Sequence, residues 1–320
     1  MPMAILHSTE EWTQRFGDRR KGTAVTIGNF DGVHLGHQKI LRTLLDRARA
    51  ADLTSAVLTF HPHPARVLRP AVAPALLETI DQRLAAIAEL GIDAALVARF
   101  DTDLAKLGPE EFVRRFLVDS MRAQVVLIGG NFRFGHRQSG DAKLLADLGR
   151  QWGFEVEIVP PVEADGVVVS SSAIRNALRE GKVEEARRML GRPFALTGRI
   201  QAGTGQGRKL VVPTLNLATE QELLPRSGVY ATEAVVSGRT YRAATNIGVR
   251  PTFDGSRTTV ESHLFDFNET LTDGGLEIRF WHRLRDERKF SSPAELRTQI
   301  LRDIEQAKEY FGVLAREPRN

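Results

Sequence analysis

The sequence predicts an α/β domain built on a parallel sheet in its first half and an antiparallel sheet or barrel in its second half. In the first half, short apolar runs typical of β-strands alternate with segments of helical spacing, the order expected of βαβ units. In the second half, strand-like runs follow one another with only turn residues between them. The pattern changes near Gly191-Arg192-Pro193, and we place the two domains at residues 1–186 and 187–320.

Each half contains five predicted strands. Those of the first half cover residues 23–27, 56–60, 95–98, 125–128 and 156–159, with a helix over 35–50 after the first of them. Those of the second half cover 194–200, 229–236, 242–247, 258–265 and 276–281, after two short helices at 173–179 and 183–190. Pro293, a residue suited to the first turn of a helix, starts a last amphipathic helix. Open parallel sheets bind ligands at the carboxyl ends of their strands, so we expect chemistry there.

Composition excludes several classes of protein. The net charge of +4 arises from 44 basic and 40 acidic residues that are dispersed along the chain, which argues against nucleic-acid binding. The absence of cysteine excludes disulfides, thiolate metal sites and a cysteine nucleophile. No signal peptide and no apolar run of ~20 residues is evident. We therefore expect a cytoplasmic protein, a monomer or weak homo-oligomer, that binds neither nucleic acid nor a membrane.

The first candidate site is the segment GNFDGVHLGH at residues 28–37, between the first strand and the first helix. Glycines let backbone approach a phosphate, and a helix N-terminus offers N–H groups and a positive dipole end. His34 and His37 share one side of the first turn and can donate to phosphate oxygens. The pattern predicts a nucleoside triphosphate site at which fixed donors stabilise an attacked α-phosphorus. Zinc binding by these histidines with His61 and His63 remains an alternative.

This half resembles a known family. The His-x-Gly-His after the first strand is similar to the signature of the nucleotidyltransferase superfamily, and residues 28–38 resemble the bacterial bifunctional riboflavin kinase/FAD synthetases. Three further stretches agree in order and spacing: FHPHP at 60–64, GGNFRFGHRQSGD at 129–141, and SSSAIR at 170–175, where Ser172 replaces the usual Thr. The resemblance implies a Rossmann-like nucleotidyltransferase domain that transfers an adenylyl group to FMN.

The resemblance also implies roles for individual residues. His34 and His37 would stabilise the transferring α-phosphoryl group, and Asn131 would contact substrate phosphate or ribose. Ser171, Ser172 and Arg175 would bind the β- and γ-phosphates of ATP, as hydroxyls and an arginine at a helix start can. The other residues that the resemblance assigns to the ATP and flavin site are Gly28, Asn29, Phe30, Asp31, His61 and Phe132.

The second candidate site lies in the second half. Residues 198–210 contain glycines and a basic pair without the spacing of a P-loop, and taken alone they are explained better by a mobile hairpin loop. They precede the motif Pro213-Thr214-Leu215-Asn216, the segment NIGVRPTF at 246–253 and Glu261 in the segment ESHL at 261–264. Together these resemble the riboflavin kinase domain, which implies an antiparallel six-stranded β-barrel with a C-terminal helix.

In that family, Thr214 and Asn216 would hold Mg²⁺ and ATP phosphates, and oxygen ligands suit such a hard cation. Glu261 would accept the proton of the ribityl hydroxyl as general base, although a charge on the outward face of a strand is the alternative. Gly207, Arg208 and Lys209 would contact ATP. Two departures concern the same region: Ala202-Gly203 replaces the usual His-Gly, and Val211-Val212 replaces a Gly-aromatic pair.

The expected activity is therefore bifunctional. Riboflavin and ATP give FMN and ADP in the second half, and FMN and ATP then give FAD and pyrophosphate in the first. Both steps need Mg²⁺, since the metal offsets phosphate charge. Two alternatives stay open: an FMN adenylyltransferase with a non-catalytic flavin-binding module in its second half, motivated by Val211 and Ala202, and an RNA-binding protein on a nucleotide-binding fold.

Overall fold

The computed structural model describes residues 2–17, 21–201, 213–252, 255–267, 269 and 271–314. The chain divides into two compact units, here called the first unit and the second unit, with the division between Ser170 and Ser171. The placement of the catalytic halves at 1–186 and 187–320 stays a prediction.

The first unit contains a parallel sheet, as predicted, and this sheet has six strands where five were predicted. Its strand order is β1-β4-β3-β2-β5-β8. The strands of this sheet are β1 (Ala4–Leu6), β2 (Thr23–Ile27), β3 (Thr54–His61), β4 (Ala94–Arg99), β5 (Ala123–Gly129) and β8 (Glu155–Val159). Every residue of β2 is buried, as expected of a parallel strand covered on both faces.

Helices cover both faces of this sheet. One face packs on a core that includes Trp12, Phe116 and Leu145, and the other on a core that includes Leu41 and Ile87. The helices are α1 (Thr9–Phe16), α2 (Leu35–Ala50), α3 (Pro64–Leu68), α4 (Ile80–Glu89), α5 (Pro109–Phe112), which continues as a π-helix over Val113–Ser120, and α6 (Ala142–Trp152). Two-residue strands form small hairpins, β6 (Arg133–Phe134) with β7 (Gly140–Asp141), and β9 (Glu163–Ala164) with β10 (Val167–Val168).

The second unit contains a closed barrel of six strands, all paired antiparallel, which confirms the fold that the resemblance implied. Its strand order is β11-β12-β15-β14-β13-β16. The elements are α7 (Ser171–Glu180), α8 (Val183–Leu190), β11 (Phe194–Gln201), β12 (Leu215–Ala218), β13 (Gly228–Val236), β14 (Arg239–Thr252), β15 (Gly255–Leu264), β16 (Gly275–Asp286) and the C-terminal helix α9 (Pro293–Leu314). Apolar side chains such as Leu196, Ile278 and Phe280 fill the interior and are fully buried.

Several of the described elements lie outside the predicted set, among them α3, the two small hairpins, β1, α1 and β12. Strand β1 and helix α1 precede the first predicted strand, and α1 is held by the buried aromatic pair Trp12 and Phe16, one helical turn apart. Strand β12 has only four residues and directly follows Pro213-Thr214, so its sequence shows no extended alternation. Strand β12 contains Asn216, and only the strand register shows which residues of the adjacent strands lie beside it.

Candidate active sites

The loop between β2 and α2 has a backbone conformation that few residues adopt. Phe30, Gly32 and Val33 have positive φ values of 50°, 89° and 34°. Non-glycine residues rarely take such angles, which persist only where the surroundings impose them. Here the side chains of Phe30 and Val33 are buried in the core, and the Val33 amide donates to the Phe30 carbonyl at 3.0 Å. The loop is therefore preformed immediately before His34.

His34 and His37 lie side by side at the start of α2. His34 is the N-cap residue, and its Nδ1 accepts the backbone N–H of His37 at 3.4 Å. A neutral imidazole that accepts through Nδ1 carries its proton on Nε2, so His34 can donate through that atom. The two rings stack with centroids 3.6 Å apart, and Phe30 contacts the ring of His37 edge-on. Two imidazoles thus lie at the positive end of a helix dipole, an arrangement suited to a phosphate.

The other predicted residues of the first unit follow the carboxyl ends of the neighbouring strands β2, β3 and β5. His61 ends β3 and is exposed, and Asn29 is half-buried. Asn131 is exposed after β5, while Phe132 is half-buried and stacks on Phe134 with ring centroids 5.5 Å apart. This placement agrees with a ligand at the carboxyl edge of the sheet.

Asp31 differs from these residues in its environment. Its side chain is only 4% exposed, and Oδ1 accepts the backbone N–H of Leu77 at 2.9 Å. The carboxylate therefore holds the loop to the segment before α4. Its assignment as an ATP- or flavin-contacting residue stays a prediction.

In the second unit, the first turns of α7 contain the predicted phosphate-binding residues. Ser171 and Arg175 are half-buried, and Ser172 is exposed. Their binding to ATP phosphates stays a prediction.

On the barrel, strand register aligns three polar residues in a row. Asn216 on β12 pairs with Glu261 on β15, and Glu261 pairs with Asn246 on β14. Paired residues of antiparallel strands place their side chains on the same face, with Cβ atoms ~5 Å apart. The next pair along, Thr245 and Ser262, is fully buried inside the barrel, so the row Asn216–Glu261–Asn246 lies on the outer face. Asn246 is not among the predicted site residues, because its alignment with Glu261 depends on strand register.

Two further contacts border this polar row. The imidazole of His263 hydrogen-bonds through Nδ1 to the carbonyl of Pro213 at 2.9 Å, so it fixes the residue before Thr214 against β15. Helix α9 packs on the same outer face, where Ile304 and Phe311 belong to one core with Ala244. Thr214 itself is exposed. Gly207, Arg208 and Lys209, and the departures at Ala202 and Val211, lie outside the described residues.

The comparisons with known proteins cover both units. The FAD synthetase family profile matches residues 17–173, and the riboflavin kinase family profile matches residues 190–311. The bifunctional riboflavin kinase/FMN adenylyltransferase of Pseudomonas fluorescens is 40% identical over 289 residues, which cover 90% of this chain and 93% of that protein. The chain belongs to the bifunctional riboflavin kinase/FMN adenylyltransferase family. The relative of the same name from Escherichia coli strain K12 is 36% identical over 92% of this chain and 94% of its own.

The fold is shared with a solved structure. A crystal structure of a protein described as a macrolide-efflux protein from Streptococcus pneumoniae is similar with a TM-score of 0.84 and 28% identity, over 96% of this chain and 99% of that one. In the part of the chain that the structure describes, no helix combines the length and hydropathy needed to cross a bilayer. Within the same residues, no three His, Cys, Asp or Glu side chains form a group that could hold a metal ion.

Gly36 in the family's His-x-Gly-His motif provides space for the first imidazole. A Cβ at this position would lie 3.2 Å from both Cε1 and Nδ1 of His34. We expect Gly36→Ala to displace that ring by a few tenths of an ångström and to slow adenylyl transfer by up to about tenfold, since a misplacement near 1 Å can cost ~10²-fold. Stability should stay the same or rise by up to ~1 kcal/mol, because alanine favours helix. Steady-state FAD formation and urea unfolding measure the two effects.

Gly312 in α9 offers a matched control for this substitution. A Cβ there meets nothing within 4 Å. Gly312→Ala should therefore affect stability similarly and leave FAD formation unchanged. Normal FAD formation by Gly36→Ala would show that the imidazole position does not depend on this glycine.

A chain of buried hydroxyls supports the polar row from inside the barrel. Thr245 Oγ1 hydrogen-bonds to Thr232 Oγ1 at 2.6 Å and to Ser262 Oγ at 2.7 Å, and all three residues are fully buried. We expect Thr245→Val to destabilise the second unit by ~1–3 kcal/mol, because it removes the partner of two buried hydroxyls. Riboflavin kinase activity should fall with it, since the same strands align Asn246 and Glu261. Thr245→Ser, which keeps the hydroxyl, should restore both; equal stability of the two variants would contradict the prediction.

Proposed function

We propose that this chain phosphorylates riboflavin in its second unit and adenylylates the resulting FMN, with the adenylyl-transfer chemistry at the histidine pair of its first unit. The observation that supports the assignment most is that one chain contains both constellations within the matching family regions. These are the stacked pair His34 and His37 at a helix N-terminus, and the row Asn216–Glu261–Asn246 on the barrel. We also propose a cytoplasmic protein that acts as a monomer or weak homo-oligomer without nucleic acid.

In the kinase step, Glu261 accepts the proton of the terminal ribityl hydroxyl of riboflavin. The hydroxyl oxygen forms a bond to the γ-phosphorus of ATP, the bond from that phosphorus to the bridging oxygen breaks, and ADP leaves. Asn216 is the strand neighbour of Glu261, so phosphate groups held near its amide lie beside the base. The half-buried position of Glu261 limits competition from water for the same proton.

The residues of the barrel fit a magnesium ion. The hydroxyl of Thr214 and the amide oxygen of Asn216 are hard donors two residues apart, and Mg²⁺ in such sites completes its shell with water and substrate phosphates. When bound, the ion offsets the charge of the ATP phosphates. His263 fixes the carbonyl of Pro213 and so limits the freedom of the Thr214 segment.

In the adenylylation step, a phosphate oxygen of FMN attacks the α-phosphorus of ATP and pyrophosphate leaves. Nε2–H of His34, with the ring of His37 stacked on it, donates to the α-phosphate oxygens, where negative charge increases during transfer. Ser171, Ser172 and Arg175 bind the phosphates that leave as pyrophosphate. Asn131 contacts substrate phosphate or ribose. No covalent intermediate on the protein is needed.

The proposal is tested by separating riboflavin, FMN and FAD chromatographically after two incubations. One contains the protein with riboflavin, ATP and Mg²⁺, and the other contains FMN, ATP and Mg²⁺. We expect FMN and FAD from the first and FAD from the second, with both reactions lost on chelation of the metal. FAD from FMN with no product from riboflavin would make the second unit a binding module, and would direct attention to Val211 and Ala202. Retention of RNA without any flavin turnover would contradict the proposal.

A further inference from the structure

A buried arginine lies one helical turn after the segment to which the loop before the histidine pair is hydrogen-bonded. Arg83 is on α4, one turn after its N-cap residue Thr79, and is only 1% exposed. Arginine is almost never fully buried unless it is paired with a charge. Among the described residues, Nε and Nη1 of Arg83 have no hydrogen-bond partner. Hydrogen bonds therefore do not satisfy all the donors of this guanidinium. The charged groups that act on it are then the main indication of its role.

Those neighbours are Asp31 and Glu78. Burial lowers the pKa of Arg83, and the fields of these two carboxylates act in the opposite direction. Asp31 belongs to the loop before His34, whereas Glu78 directly precedes the N-cap of α4. The arginine thus contributes one positive charge that acts on a carboxylate from each of the two segments.

The same two segments are joined by a hydrogen bond. The carboxylate of Asp31 accepts the N–H of Leu77, whose side chain is fully buried. On the loop side, Phe30 and Val33 have positive φ and need such external support. His34 directly follows Val33 in sequence, so a shift of this loop changes the start of α2 and the place of its imidazole.

We propose that Arg83 is a positioning residue for adenylyl transfer, which balances the buried charge of Asp31 so that this carboxylate holds the loop at residues 28–33 to Leu77. The inference rests on the proposed function of the first unit. It changes the role of Asp31 from a substrate contact to an internal support of the nucleotide loop. Arg83 touches no substrate and acts through the position of His34.

Four variants test this support: Arg83→Met, Arg83→Lys, Asp31→Asn and the double variant Arg83→Met/Asp31→Asn. We expect Arg83→Met to lower kcat for FAD formation about tenfold to a hundredfold, the range of a sub-ångström to 1 Å misplacement, with smaller changes in KM. Arg83→Lys keeps the charge and should recover most of the activity. The activity of the double variant should exceed that of Arg83→Met, because the buried carboxylate of Asp31 is no longer left without its counter-charge and the amide oxygen of asparagine can still accept from Leu77.

Two measurements separate positioning from general damage. Hydrogen exchange at the amide of Leu77 should accelerate in Arg83→Met and slow again in the double variant. FMN formation by the second unit of the same chain should stay unchanged. Ser55→Ala is a matched control, because Ser55 lies at the amino end of β3 and donates a partly buried hydrogen bond of 2.7 Å to Asp93. Its loss should lower stability without lowering kcat.

Three outcomes decide whether Arg83 supports the loop. Unchanged kcat and unchanged Leu77 exchange in Arg83→Met would overturn the inference. A double variant no better than Arg83→Met would also overturn it, since Asp31 would then act on substrate directly. If the wild-type chain forms no FAD from FMN, the proposed function fails, and the exchange of Leu77 alone still decides whether Arg83 supports the loop.

Discussion

Glu261→Ala is expected to abolish FMN formation from riboflavin, while the same protein continues to make FAD from added FMN. A general base contributes typically ~10²–10⁴-fold, so the kinase rate should fall by that factor. Glu261→Gln should be equally slow, because the amide keeps the shape of the side chain but cannot accept the proton. Steady-state assays with riboflavin and with FMN as separate substrates measure the two activities in one preparation.

Glu277 provides the matched control for that loss. It lies on β16, which is three strands away from β15 around the closed barrel, and it pairs with Arg279 at 2.6 Å. Partly exposed ion pairs of this kind contribute ~0–1 kcal/mol, so Glu277→Ala should keep both activities. A Glu261→Ala variant that phosphorylates riboflavin at the wild-type rate would show that this carboxylate only occupies the outward face of its strand.

The second large effect is expected at His34, where two roles can be separated. His34→Asn keeps a side chain that caps a helix well, whereas it removes the imidazole donor. We expect this variant to be about as stable as the wild type and to form FAD ~10²–10³-fold more slowly, the cost of one lost donor to a developing charge. His37→Ala should slow FAD formation by a similar factor. The variant with both substitutions should slow it by less than the product of the two single factors, because the stacked rings act as a unit.

Ser8→Ala is a useful comparison for the capping role. Ser8 caps α1 by accepting the N–H of Glu11 at 3.1 Å, so its loss should cost ~1 kcal/mol of stability and leave FAD formation unchanged. Urea unfolding and FAD assays on these four variants and on the wild type give the comparison. Wild-type FAD formation by His34→Asn would assign His34 to helix capping alone.

Much of the fold could be predicted from local patterns, because long periodic segments dominate it. The predicted strand 23–27 and the helices at 35–50 and 183–190 coincide with the observed elements. Strand β12 was missed because four residues after a proline show too little alternation to be distinguished from a loop. Strand β1 was missed for the same reason, because it has only three residues.

The candidate sites were predictable as motifs but not as arrangements. The spacing of His34 and His37 indicates one helix face, and the structure stacks the two rings as that spacing allows. Asn246 joins Glu261 only through a strand register that depends on the whole barrel. Similarly, nothing local to residues 28–37 indicates that Asp31 is directed inwards, because its partner Leu77 is 46 residues away in sequence.

The two sheets differ in how they end, and this difference affects self-association. In the closed barrel each of the six strands has a neighbour on both sides, whereas the parallel sheet ends at β1 and β8. Exposed strand edges can template pairing with another chain, and proteins protect them with short strands or charge. Strand β1 has only three residues, and β8 carries Glu155 and Glu157, both paired with Arg47. Replacing these two glutamates with valine would leave β8 as an apolar, uncharged edge strand. We expect that variant to aggregate through its first unit.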